Sequence, residues 1–230
     1  MKKQIAKCIK EISSGAYSPQ VVFFDWMQCL ALSISNTCTL IHNDLWKKRE
    51  EQYLSTIRKY DEEARYKMSD MVGMLTATYE DTGLSDVLGE VYMESVGGNK
   101  NTGQFFTPYH VSLACAELVV PKNINDDRIP LHEPSCGSGG MVVATAQVLQ
   151  KRGINYQKTL DVVCQDLDWS AVYMCYVQLS LLGIKAIVVQ GDTLAEPYKK
   201  GYPKERVFYT PAKRGLLKRR NEKWENWSNI

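Results

Sequence analysis

Residues 132–140 read His-Glu-Pro-Ser-Cys-Gly-Ser-Gly-Gly, a glycine-rich turn that follows a short apolar run and precedes an amphipathic segment beginning near Met141. A strand, a tight turn and a helix in that order point to an α/β architecture. Gly137 and Gly139 can take backbone angles closed to residues with a Cβ, so a ligand can approach the main-chain N–H groups of the turn. The helix that follows directs its positive end to the same place. Taken alone, such a turn also serves as a plain strand-to-helix connection.

Two more strand tips accompany it. Leu160 to Cys164 reads as a strand ending at Gln165-Asp166-Leu167-Asp168, and Trp169 to Leu182 reads as the next helix. Lys185 to Gln190 predicts a third strand, ending at Gly191-Asp192-Thr193-Leu194. An acid at the second tip is placed to accept from ribose hydroxyls, and the tips of an open α/β sheet share one edge, where small molecules bind. Plainer readings stand beside these. Asp166 and Asp168 can cap the next helix, capping being the better reading of Asp168, and Asp192 can close a turn. Thr107-Pro108 is an ordinary helix start, and Phe105 and Phe106 are common core residues.

In chain order, Gly103-Gln104-Phe105-Phe106-Thr107-Pro108, Glu133-Pro134-Ser135-Cys136-Gly137-Ser138-Gly139-Gly140, Gln165-Asp166-Leu167-Asp168 and Gly191-Asp192-Thr193-Leu194 resemble the S-adenosylmethionine motifs of adenine-N6 DNA methyltransferases. The likeness is greatest to the modification subunit of type I restriction systems, and it takes in Asp86-Val87-Leu88-Gly89-Glu90-Val91-Tyr92 as the family's lead-in. It implies a class I S-adenosylmethionine-dependent methyltransferase core, Rossmann-like, truncated, and preceded by a helical N-terminal region. Its sheet is expected to be mostly parallel, with helices on both faces.

The resemblance also implies a cofactor, S-adenosylmethionine, with S-adenosylhomocysteine as product. The residues it assigns to that cofactor are Phe106, Thr107, Glu133, Pro134, Ser135, Cys136, Gly137, Gly139, Asp166, Leu167, Asp192, Thr193 and Leu194. Thr107 would cap a helix begun by Pro108 and hold the methionine carboxylate, while Glu133 would face the methionine ammonium. Asp166 would take the ribose hydroxyls, Asp192 the adenine amino group, and Leu167 and Leu194 would sandwich the adenine ring. The charges agree with this ligand: a sulfonium with an ammonium suits acids at the strand tips, whereas a pyrophosphate would be repelled by Glu133.

Methyl transfer needs more than cofactor binding. Enzymes of this group carry Asn/Asp-Pro-Pro-aromatic after a fourth strand. Its oxygen acceptors favour the pyramidal amine that attacks the methyl, and its ring stacks on the flipped base. This chain contains neither Asn-Pro-Pro nor Asp-Pro-Pro. At the expected distance stands Arg206-Val207-Phe208-Tyr209-Thr210-Pro211-Ala212-Lys213, in which Thr210 and Pro211 are the candidates for a degenerate remnant.

Composition sets the frame. With 230 residues, 44% hydrophobic and 23% charged, the chain suits one compact domain with an appendage. Three scattered histidines argue against a metal centre, and seven irregularly spaced cysteines without a Cys-x-x-Cys pair read as reduced thiols. No membrane span or signal peptide is evident, which predicts a cytoplasmic protein. The expected division is a helical region over 1–102, a methyltransferase-like domain over 103–212 and a basic tail over 213–230. Helix starts are expected at Ser18-Pro19, Asn43-Asp44 (running to about Tyr66), Ser69-Asp70 and Ser85-Asp86, and a flexible joint at 96–103.

Residues 199–230 carry ten Lys/Arg against three Asp/Glu, a net +7 in a chain of net +2. Lys213, Arg214, Lys218, Arg219 and Arg220, with Trp224 and Trp227, could engage the phosphates and bases of DNA, or could form a solvated tail. The expected partners are DNA and a specificity or completing protein subunit. Two functions stay open: an adenine-N6 DNA methyltransferase, impaired or dependent on a partner, and a non-enzymatic cofactor-binding or DNA-associated subunit.

Overall fold

The computed structural model describes residues 1–13, 16–97, 106–122, 124 and 128–216. Five helices come first: α1 (Lys2–Ile12), α2 (Pro19–Thr37), α3 (Asp44–Ile57), α4 (Glu62–Thr82) and α5 (Val87–Ser95). Then α6 (Tyr109–Val119) leads to β1 (Ile129–Glu133), α7 (Gly140–Lys151), α8 (Tyr156–Thr159), β2 (Leu160–Asp166), α9 (Trp169–Leu181), β3 (Lys185–Gln190) and β4 (Val207–Tyr209). No helix among the described residues is long and apolar enough to cross a membrane.

Caps define the helical part. Ser18 Oγ accepts from Val21 N–H with Pro19 in the first turn, and Asn43 Oδ1 accepts from Trp46 N–H at 3.0 Å. The helix opened by Asn43 stops at Ile57 rather than near Tyr66. Tyr60 turns inward, its hydroxyl donating to buried Asp25, and Asp61 then starts α4 by accepting from Ala64 N–H at 2.8 Å. Ser69 and Asp70 consequently lie inside α4 and open nothing. Asp86 caps α5 as expected.

The sheet has the order β1-β2-β3-β4, with β1, β2 and β3 parallel. Leu160, Val162, Cys164, Ala186 and Val188 alternate onto one buried face, while Pro130, His132, Asp161, Val163 and Ile187 on the other keep part of their surface in solvent. α9 packs against β2 and β3, α2 against α9, and α6 against α7. Helices on both faces were the expectation; among the described residues they line one. Strand order advances in a single direction, so successive crossovers of one hand deliver α7 and α9 to the same face. Near β3, Tyr198 and Tyr202 pack instead with Ile187, Val189 and the neighbouring Val207 of β4. One continuous core joins Ile5, Trp26 and Leu88 of the helical part to Val142, Tyr173 and Val188. The expected boundary at 102/103 lies outside the described residues.

The fourth strand exists, but it runs the other way. β4 pairs antiparallel with β3, Ile187 opposite Tyr209 and Val189 opposite Val207. Buried Arg49 of α3 holds it there, donating to the Val207 carbonyl at 2.9 Å and lying over the Phe208 ring at 4.3 Å. Burial pulls the Arg49 pKa down to about 10. At the far side of the sheet, β1 pairs with β2 alone among the described residues, and its second residue is Pro130.

Candidate functional site

Because β1, β2 and β3 are parallel, Glu133, Asp166 and Gln190 end at one edge of the sheet. The glycine loop starts there. Gly137 (φ 53°) and Gly139 (φ 90°) both occupy the left-handed region, and Gly139 is the residue that opens α7. Cys136 N–H donates to the Gln165 carbonyl at 3.1 Å, and Gly137 N–H donates to Asp166 Oδ2 at 2.9 Å, so the loop is tied to the tip of β2. Phe106 lies across it: a Cβ on Gly137 would stand 2.9 Å from the Phe106 ring.

Asp166 organises the edge from below. Its Oδ1 accepts from Asp168 N–H at 3.0 Å, and burial lifts its carboxyl above the usual carboxylate range. Each carboxylate oxygen has two lone pairs, so acceptor capacity remains toward a ligand. Asp168 caps α9 through Ser170 N–H at 2.6 Å. Glu133 is half-buried, and desolvation raises its pKa as well. Ser135 N–H donates back to Glu133 Oε1, and the Pro134 carbonyl receives the Thr193 hydroxyl at 2.6 Å, which joins the first loop to the third. Asp192 Oδ1 accepts from Leu194 and Ala195 N–H groups and closes that third loop. Leu167 and Leu194 stand out from adjacent tips, 67% and 96% exposed.

A buried network beneath the loop was not visible in the sequence. Asp86 accepts from Ser138 Oγ at 2.8 Å, Gln178 Nε2 at 2.9 Å and Gly89 N–H at 3.1 Å. Gln178 also donates to the Ser138 carbonyl, and its Oε1 accepts from Tyr79 Oη at 2.6 Å and from Leu88 N–H. Desolvation raises the Asp86 pKa despite these donors. The available signal was one amide, Gln178, inside an otherwise apolar helix.

Several expectations require correction. α6 begins at Tyr109, with Pro108 in the capping position and no side-chain cap, so Thr107 does not cap it. Thr210 and Pro211 follow an antiparallel strand and therefore sit at the opposite edge from the glycine loop. Thr210 Oγ1 donates to the Ile184 carbonyl at 2.7 Å and accepts from Ala186 N–H at 3.0 Å, at the start of β3. Lys213 and Arg214 are engaged inside the fold: Lys213 and Arg128 pair with Asp161, and Arg214 reaches Thr39 Oγ1 and the Cys38 carbonyl. Gly103, Gln104, Phe105, Lys218, Arg219, Arg220, Trp224 and Trp227 lie outside the described residues.

The model of the N-6 DNA methylase family matches residues 84–211, which contain all three tips and the Asp86, Ser138 and Gln178 members of the buried network. The chain belongs to the N-6 DNA methylase family. Two solved structures are similar to this methylase-family chain. One, from Listeria monocytogenes and described as a class I S-adenosylmethionine-dependent methyltransferase, is 18% identical over 74% of this chain and 55% of its own, with a TM-score of 0.43. The other is the type I restriction-modification system methyltransferase subunit from Streptococcus thermophilus, 15% identical over 82% of this chain and 42% of its own, with a TM-score of 0.44. The chain thus spans about half the length of these structures. No curated protein matches it.

Proposed function

We propose that this N-6 DNA methylase chain binds S-adenosylmethionine at the β1–β3 edge and takes part in adenine-N6 methylation of DNA with a partner subunit that supplies the amine-activating residues. The observation that carries the reading is the convergence at one edge of Glu133, a loop with two left-handed glycines, Asp166, and two exposed leucines. Exposed leucines on neighbouring tips suit a planar heteroaromatic ring, and the acids suit a cation. The cofactor supplies an electrophilic methyl on a sulfonium. Glu133 meets its ammonium, Asp166 its ribose hydroxyls, Asp192 its adenine amino group, and Gly137 and Gly139 keep the backbone low beneath it.

A second reading, a cofactor-binding subunit with no methyl transfer of its own, is favoured by the reversed direction of β4. Both readings require cofactor binding, and methyl transfer assayed with and without cell extract separates them. Calorimetry with S-adenosylmethionine and S-adenosylhomocysteine is the primary test; absence of heat with both removes the common ground. DNA contact is assigned to Lys218, Arg219 and Arg220.

Asp166→Ala is expected to lower cofactor affinity ten- to a hundredfold, about 1.5–3 kcal/mol for a lost charge-assisted acceptor. Asp168→Ala should cost about 1 kcal/mol of stability as a lost helix cap, with affinity nearly unchanged. Equal loss of affinity in both variants would remove Asp166 from the site.

Glu133 sets the pH dependence. Only its ionised form attracts an ammonium, and its pKa lies above the ordinary value because of burial. Cofactor affinity should therefore fall as pH drops, beginning above the usual carboxylate range. Glu133→Gln should bind less tightly at neutral pH and lose most of this slope. Folding has the opposite sign. Asp86, Glu133 and Asp166 hold their protons more tightly in the native state, so with respect to them acidification from their raised pKa values toward ordinary ones stabilises the free protein. A binding curve that strengthens in acid contradicts the role of Glu133.

A further inference from the structure

Cysteines that are scattered along the sequence converge in the fold. Cys136 of the glycine loop, Cys164 of β2 and Cys175 of α9 are buried, and their Sγ atoms all lie within 4.8 Å of one another. Cys8, Cys38 and Cys115 are partly exposed, and with buried Cys29 they stand outside this group. Each of the three sulfurs comes from a different element, so the trio is a preformed triangle held by the backbone.

A triangle of sulfur donors in an apolar interior selects a soft cation. An ion at the centre of three sulfurs, with bonds of about 2.3 Å, needs sulfurs about 4.0 Å apart, so closure requires a contraction of less than about 1 Å. Tetrahedral zinc calls for a fourth donor, and among the described residues this group offers three ligand atoms. A closed-shell monovalent d10 ion is content with three. The N-terminal end of α7 adds positive potential beside the sulfurs, since the loop of Cys136 leads straight into that helix. Cys136 belongs to the loop at the sheet edge, the least deeply placed of the three.

We propose that Cys136, Cys164 and Cys175 form a three-coordinate, all-sulfur site for Cu(I). On binding, copper–sulfur bonds form as S–H bonds break, the thiol protons leave to solvent, and no electron is transferred. The site is separate from the strand-tip residues assigned to the cofactor except for Cys136, whose sulfur points beneath the loop toward Cys164 and Cys175 rather than out of it.

The test is an anaerobic titration of the full chain with Cu(I) in competition with bicinchoninate, followed by X-ray absorption at the copper edge. One ion per chain, with three sulfur neighbours at about 2.3 Å, is the expected result. The Cys8→Ser/Cys38→Ser/Cys115→Ser variant removes the partly exposed thiols and should retain the ion, and Cys175→Ala should retain it at least tenfold less tightly. Should Cys175→Ala fail to fold, the first variant and the absorption spectrum still decide. Failure of the native chain to hold copper against the chelator, loss of copper in the exposed-thiol variant, or nitrogen or oxygen neighbours would each overturn the proposal. None of these outcomes depends on cofactor binding.

Discussion

Gly139→Val is expected to abolish measurable binding of S-adenosylhomocysteine, a loss of a hundredfold or more, and to destabilise the protein by about 2–4 kcal/mol. Two costs combine at this position. With φ at 90° a β-branched residue is strained by at least about 1–2 kcal/mol. A Cβ would also stand 3.1 Å from Cys175 Sγ, closer than ordinary contact and in a fully packed interior, before the two further methyl groups of valine are added. Any shift of the loop that relieves this crowding takes Gly137 N–H away from Asp166 Oδ2. Gly153→Val is the control: its φ is 76°, but nothing lies within 4 Å of the added Cβ. That variant should show the backbone strain alone, with cofactor affinity intact. Calorimetry and urea unfolding on both variants check the pair, and native-like affinity in Gly139→Val would detach the loop from ligand binding.

The purified chain should methylate unmethylated DNA at no detectable rate, and grafting Asn-Pro-Pro-Phe across Thr210 to Lys213 should not change that. One missing transition-state acceptor costs roughly 10²–10³ in rate, and loss of the base stack adds to it. The graft fails for a reason of direction. β4 is antiparallel to β3, so residues following it arrive at the edge opposite Glu133 and Asp166. The graft also replaces Thr210, whose hydroxyl serves Ile184 and Ala186, and Lys213, which pairs with Asp161, so it should lower stability by about 2–3 kcal/mol. Transfer of labelled methyl groups is the measurement. Turnover by the native chain would show that other residues activate the amine, and turnover gained by the graft would show that β4 can reach the cofactor edge.

What the sequence made legible was local. Ser18, Asn43, Asp86 and Asp168 cap helices where an acceptor precedes a periodic apolar segment, and the three parallel strands end within two residues of the tips their turn residues marked. Strand direction is not local. Val207, Phe208 and Tyr209 look the same in either orientation, and the contacts that hold them antiparallel are long-range, Arg49 lying 158 residues away from its acceptor Val207. Distance along the chain likewise hid the contact between Asp86 and Gln178, 92 positions apart, and the meeting of Cys136, Cys164 and Cys175. The charge of Lys213 was legible as charge, but its intramolecular partner, Asp161, lies 52 positions away and was not.

Pro130 gives β1 a property that concerns many molecules rather than one. A strand with an unpaired flank invites the same strand of another copy to add alongside it, the first step toward fibrous aggregates. Pro130 carries no N–H, so this five-residue strand has one backbone donor fewer to offer. Among the described residues β1 leaves that side of the sheet unpaired, and with one donor missing from so short a strand it is a poor template for a second copy.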